Sequence, residues 1–234
     1  MKKWIFADDP VSDLERYKAP MCYELAGEDL HFIMDKDEAL SLSFAGFPSR
    51  EVRVGGSERG IRYDCAKIDA QIFYLSFVLM ESCVSCLFDR ERGLITRTIT
   101  GLDAKTSISF GAAEGIAERH TFSQDLKDNT VYWTLGVEDT SMFKIVYTDK
   151  GAEITRPRIK DAPALSASDF LAVKATDYIY LQNAIIMSGG VRNSINLLSN
   201  FQNMTCIGSI YSISAENHTT YRSFAGFGRF FISE

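Results

Sequence analysis

Tyrosine, serine and glutamine recur together in two related runs of this chain, and they are residue types suited to holding or activating a small molecule. In Ile72-Phe73-Tyr74-Leu75-Ser76, Tyr74 and Ser76 stand two apart; in Tyr178-Ile179-Tyr180-Leu181-Gln182 the same places are held by Tyr180 and Gln182. On a β-strand this spacing puts both polar groups on one face and Phe73, Leu75 and Phe77, or Ile179 and Leu181, on the other. Turned into a small barrel, the polar-aromatic face would orient a planar, partly polar ligand. Turned outward, it would leave a filled, apolar interior without a pocket. The second run is the stronger candidate, because Asn183 interrupts its apolar face. Tyr74, Tyr180, Glu81 and His120 are the candidate acid–base groups, since positioned phenols, carboxylates and imidazoles can move protons in a dry cavity. Ser76, Gln182, Arg119, Arg192 and Arg222 are the candidate substrate-binding groups. Arg192 and Arg222 could each grip a carboxylate in bidentate fashion.

Other chemistries lack their residues. His31, His120 and His218 are scattered, so no paired-histidine metal motif exists. The nucleophile elbow G-x-S-x-G is missing. Residues 54–60 are glycine-rich but lack the Gly-Lys-Ser/Thr of a phosphate-binding loop, and read as a turn. Residues 35–46 superficially suggest a calcium loop, but Leu40 stands where the glycine belongs and Gly46 where the final glutamate belongs. Cys83 and Cys86 form a C-x-x-C; on a strand, a separation of three puts them on opposite faces, and no further ligand pair completes a zinc site. No metal and no cofactor are expected. The odd cysteine count (Cys22, Cys65, Cys83, Cys86, Cys206) is expected to consist of reduced, buried thiols.

The elements that must position these groups read as strands. With 46% apolar and 24% charged residues in 234, the chain has material for one large or two small cores. Its net charge of -6 offers phosphates no basic stripe, so nucleic acid is not an expected partner. No apolar run approaches the roughly 20 residues that span a bilayer as a helix, and residues 2–9 hold no secretory apolar region, so a cytoplasmic location is expected. Val11, Leu14 and Tyr17 recur at helical spacing and predict one short N-terminal helix. Beyond it, strands are predicted at 30–34, 40–44, 61–68, 72–80, 84–88, 94–99, 107–110, 130–135, 142–147, 152–155, 178–187, 194–198, 204–213 and 221–232, with turn residues between them. So many short strands indicate barrels or sandwiches.

The recurrence of the tyrosine strand, each copy running on to a methionine (Met80, Met187), indicates a duplicated domain. Each copy is followed by Thr-x-x-Gly, as Thr98-Ile99-Thr100-Gly101 and Thr205-Cys206-Ile207-Gly208. The expected organisation is an N-terminal helical segment (1–25), a first barrel (26–118) and a second barrel (119–234).

The sequence resembles the MoaF family of paired calycin-like (lipocalin-like) barrels. The resemblance lies in Tyr63-Asp64-Cys65-Ala66, in the Tyr74 run and Val84-Ser85-Cys86-Leu87-Phe88-Asp89, in Arg119-His120-Thr121 and Asp125-Leu126 at the junction, and in the Tyr180 run, Cys206-Ile207-Gly208 and Phe224-Ala225-Gly226. It implies an all-β fold of two tandem antiparallel calycin-like barrels and a link to molybdenum-cofactor metabolism. The chain departs from the family where a Glu-His pair, a Trp-His run and a Trp-Arg-Glu-Lys run are typical; it has Phe143-Lys144-Ile145-Val146-Tyr147, Ala152-Glu153-Ile154-Thr155 and Ala184-Ile185-Ile186-Met187.

Two functions follow as expectations. One is a cofactor-independent lyase, isomerase or cyclase acting on a small aromatic or polyketide-like compound. The other is a non-catalytic small-ligand binding protein of MoaF type, which the departures favour; only one half need bind. The expected partner is a small, partly apolar molecule, with no nucleic acid, no membrane and, at most, a second copy of the chain as a homodimer.

Overall fold

The structure, a computed structural model, describes residues 20–103, 105–135, 142–157, 160 and 164–230. The helix expected at 11–19 lies outside them. The described chain is all-β and falls into two compact units that change over between Thr121 and Phe122.

The first unit holds β1 (Asp29–Met34), β2 (Ala39–Phe44), β3 (Glu51–Val54), β4 (Ile61–Asp69), β5 (Ile72–Leu79), β6 (Ser82–Asp89), β7 (Leu94–Thr100) and β8 (Thr106–Ala112). Each strand pairs antiparallel with the next, and β8 returns to β1 through Ile33–Ala112 and Met34–Gly111, closing a barrel. Apolar residues at alternate positions fill it. Phe73, Leu75 and Phe77 face inward beside their β6 partners Phe88, Cys86 and Val84, with Phe32, Leu42, Phe44 and Tyr63 opposite. The Phe73 and Phe88 rings stack at 5.9 Å, and Phe32 meets Phe88 edge-on at 5.5 Å.

This packing settles the facing of the first tyrosine run: of the two arrangements open to it, the first barrel takes the one with the apolar residues inside. Tyr74 and Ser76 lie on the outer face of β5, where the Tyr74 hydroxyl donates to Ser85 Oγ at 3.1 Å. The reason is energetic. Both faces of β5 are buried, and the inward one takes the large apolar side chains, worth about 1.5–3 kcal/mol each, while hydroxyls of the outward one find partners, as Tyr74 does in Ser85.

The second unit begins in β9 (Thr121–Phe122), which lies beside β13, and continues as β10 (Thr130–Thr134), β11 (Met142–Thr148), β12 (Gly151–Thr155), β13 (Leu165–Lys174), β14 (Ile179–Ser188), β15 (Val191–Asn200), β16 (Thr205–Ile213) and β17 (Thr219–Phe230). From β10 to β17 successive strands pair antiparallel, β12 pairs β13, and β17 returns to β10, so this barrel is also eight-stranded and closed. Its inward residues combine large rings (Trp133, Phe143, Tyr147, Tyr180, Phe224) with small Ala152, Ala167, Ala172 and Ala184. Gly228 sits opposite Trp133, and a Cβ there would come within 2.5 Å of the indole ring. Here the Tyr180–Gln182 face does point inward, as Tyr180, Ala184 and Ile186 of the same face all belong to the core.

The duplication is architectural, but its residue register differs from the sequence match. β5 and β14 are each the fifth strand of a barrel, yet Tyr74 faces out and Tyr180 faces in. Aligning the two hairpin turns, Met80–Glu81 and Gly189–Gly190, brings inward Phe73 onto inward Gln182. Thr98 to Gly101 ends β7, whereas Thr205 to Gly208 opens β16, so those tetrads are not equivalent.

Urea unfolding tests the facing of β5. Leu75→Ala should cost about 2–5 kcal/mol through cavity formation. Tyr74→Phe, which removes one hydroxyl, should cost about 1 kcal/mol. Equal costs would contradict the inward placement of Leu75.

Candidate functional site

The second barrel carries several polar groups inside, whereas the first has Arg97, paired with Glu38 and Ser109, on an otherwise largely apolar inward face. Gln182 of β14 and Ser199 of β15 are register neighbours of the inward face, and Tyr147 of β11 reaches them from across the barrel. The Tyr147 hydroxyl donates to Gln182 Oε1 at 2.6 Å, and Gln182 Nε2 donates to Ser199 Oγ at 2.9 Å. The Trp133 indole N–H lies near the same hydroxyl without a well-aligned acceptor. Burial pushes the Tyr147 phenol well above its ordinary range, so it stays a protonated hydrogen-bond donor. Tyr147 was not among the residues that the sequence singled out; its signal was the alternation of Phe143, Ile145 and Tyr147 along one face.

At this end a loop is strapped onto the strands. Ser123 N–H donates to Ala172 O at 2.9 Å, Asp128 N–H to Tyr147 O at 3.0 Å, and Tyr147 N–H to Asn129 O at 3.0 Å. A bulge in β13 between Ser168 and Leu171, with Asp169 at φ 52°, opens the wall beside it. The result is a pocket of about 490 Å³. Buried Leu126, Tyr147 and Ala172 with half-buried Phe170 form its apolar floor, and exposed Gln124, Lys127, Asp149, Lys150 and Asp169 form its polar rim.

Tyr180 has a different part from the one expected of it. Its ring packs edge-on against Phe201 at 5.7 Å, while its hydroxyl donates to Asp125 Oδ2 at 3.0 Å. Lys174 Nζ meets the same carboxylate oxygen at 3.0 Å. The Lys174 and Tyr180 hydrogen bonds hold the Asp125 carboxyl below its usual range. Tyr180 therefore ties the 123–129 loop to the barrel.

The opposite end of the barrel, where β14 and β16 finish and β15 and β17 begin, is also polar within. Asn193 and Ser212 are buried register partners, with Ser212 Oγ donating to Asn193 Oδ1 at 2.7 Å. Arg222, two residues before inward Phe224 and opposite inward Ile210, shares their face. Arg192 adjoins inward Asn193 and so lies on the outer face; the two arginines do not converge.

The remaining candidates belong to the first unit, each in its own surroundings. Glu81 occupies the exposed β5–β6 turn with φ 62°. Arg119 donates to the carbonyls of Ile116 and Glu118, both at 2.7 Å, and braces its loop. His120 is buried, its Nδ1 bonded to Thr96 Oγ1 at 2.8 Å and its Nε2 without a partner. The structure thus joins Gln182 to Tyr147 and Ser199, and Tyr180 to Asp125. Within the first unit, it does not gather Tyr74, Glu81 and His120 into one constellation.

Cys86 lies inside the first barrel, its thiol pushed up to about 12 by burial, while Cys83 takes the other face. All five cysteines are free. Among the described residues no three His, Cys, Asp or Glu side chains are grouped to hold a metal ion, and no helix is long and apolar enough to cross a membrane. No family model matches the chain, and no curated protein matches its sequence.

Two titrations check these environments. Desolvation, reinforced by Arg92, lowers the His120 pKa from 6.5 to about 4. The unfolded chain then binds more protons than the folded one between these values, so stability should be complete above pH 6.5 and fall as pH drops toward 4. In His120→Gln protein that part of the loss should disappear from pH-dependent unfolding curves. Half-buried Cys22 accepts a hydrogen bond from the Cys65 thiol, which lowers its own pKa to about 6. Iodoacetamide followed by peptide mass spectrometry should therefore label Cys22 first among the five. Earlier labelling of Cys83, Cys86 or Cys206 would contradict their burial.

Proposed function

We propose that the protein binds a small, partly apolar molecule inside its second barrel. The observation that carries this reading is the contrast between the two interiors. The first is lined mainly by aromatic and aliphatic side chains, and its inward Arg97 is already paired with Glu38 and Ser109. The second holds the Tyr147–Gln182–Ser199 chain beneath the loop-end pocket and further polar groups at the far end. Polar groups buried in an eight-stranded barrel cost stability unless paired, and their placement inside suits a molecule to be oriented there. Binding is favoured over a lyase, isomerase or cyclase activity. Such catalysis needs an acid and a base on the reacting atom, and the pocket's carboxylates, Asp149 and Asp169, stand exposed on its rim, away from the Tyr147 hydroxyl beneath its floor. Membership of the MoaF family fits the paired barrels and is part of this proposal.

Trp133, inside the second barrel, is a built-in reporter. The chain has two tryptophans, so Trp4→Phe leaves Trp133 alone. Titration of that protein with N-phenyl-1-naphthylamine, a neutral aromatic probe, should saturate at one probe per chain and quench Trp133 emission by energy transfer. Saturable binding without quenching would place the probe elsewhere, and no binding would remove the reading.

A further inference from the structure

Among the described residues of the second barrel, Arg222 is an inward-facing cation whose Nη1 the fold leaves without an acceptor. The face it shares is fixed by register: β16 and β17 pair without a break from Ile213–Thr219 to Thr205–Phe227, so Arg222 stands with Ile210 and Phe224 on the inner wall. It is half-buried, and its Nη1 is buried without an acceptor. Ser188 ends the inward row of β14 after Ala184 and Ile186, at the same end of the barrel. It is 5% exposed, and its Oγ has no partner. Asn193 and Ser212 make that end polar, and the Arg156 guanidinium, over the Phe143 ring at 5.6 Å, adds positive charge.

A guanidinium with a desolvated N–H and no acceptor is costly in a protein interior, and the cost is removed by an anion that takes up its donors. Planar oxyanions match the guanidinium fork, and water exclusion strengthens the pairing. Phe143, Ile186 and Ile210 belong to the core of the same barrel, so an anion held at Arg222 would carry its remaining body against an apolar interior.

On these grounds we propose that the second barrel selects an aromatic or aliphatic carboxylate, with Arg222 as the primary carboxylate contact and Ser188 as a second donor. This rests on the ligand-binding reading above and names the ligand class it takes. Arg222 is a binding residue in this scheme, and no bond is made or broken.

The test compares 1-naphthoate with its neutral isostere 1-naphthamide on the full chain, by fluorescence titration. The wild type should bind the acid about tenfold or more tightly than the amide, equivalent to about 1.4 kcal/mol or more. Arg222→Gln should abolish that preference, while Arg222→Lys should keep part of it and Arg53→Gln, at an exposed position of the first barrel, should keep all of it. Should Arg222→Gln fold poorly, two other measurements decide the matter. Added salt should weaken naphthoate binding and spare naphthamide, and Ser188→Ala should reduce the preference. Equal binding of acid and amide by the wild type would overturn the carboxylate assignment and leave the ligand-binding reading intact. A preference that survives Arg222→Gln, or that is insensitive to salt, would overturn the role of Arg222. Binding of neither probe would count against both.

Discussion

Closing a sheet of eight strands requires its first and last members to meet, and both barrels meet that requirement in the same way. At the seam of the first, Met34 of β1 lies opposite Gly111 of β8, and a Cβ on Gly111 would collide with the Met34 sulfur. At the seam of the second, Trp133 of β10 lies opposite Gly228 of β17, again with no room for a Cβ. In each case a large inward side chain from the first strand fills the space that a glycine on the last one frees. Once the ring is closed, every strand residue has only two directions available. What each barrel can hold is then decided by which set of alternate residues points inward.

The two barrels put that choice to opposite uses. In the first, rings and aliphatic chains take most of the inside, with Arg97 there paired to Glu38 and Ser109, and the hydroxyls of Tyr74, Ser76 and Ser85 take the outside. In the second, alanines on β12, β13 and β14 thin the wall, so that Trp133, Tyr147 and Gln182 have room to meet in the middle. Loss of side-chain volume at those alanines is matched by large rings from β10, β11 and β17. The same volume exchange that keeps the barrel packed brings polar atoms into it.

Much of this was legible in the sequence. Alternating runs bounded by turn residues located most strands, and the repeated tyrosine run fell on the fifth strand of each barrel, although its residue-by-residue match is out of register. The facing of that run did not show, because Phe73-Leu75-Phe77 and Tyr74-Ser76 are both acceptable barrel linings locally, and the decision belongs to the closed ring. β13 escaped as a whole strand because Ser166, Ser168 and the left-handed Asp169 break its alternation at a bulge. Gln182 was visible as an inward candidate, but Tyr147 was not, since its importance comes from a partner 35 residues away on another strand. Tyr180 was legible as an inward residue and illegible as a loop tie, because Asp125 reaches it from the segment before the barrel begins.

The meander order of both barrels also bears on how the chain acquires its structure. Apart from β9 beside β13, every strand pairing but the two seams joins neighbours in sequence, so each ring can zip up hairpin by hairpin at small entropic cost. The seams alone bring together segments separated by the length of a whole barrel, and the loop-closure entropy of that step falls on Met34–Gly111 and Trp133–Gly228. Until they meet, each barrel is an open sheet with two unpaired edges, β1 and β8 or β10 and β17, each able to recruit a strand from another chain. The seam glycines thus govern a kinetic hazard as well as a fit: the faster the ring shuts, the shorter the time its edges are exposed to aggregation.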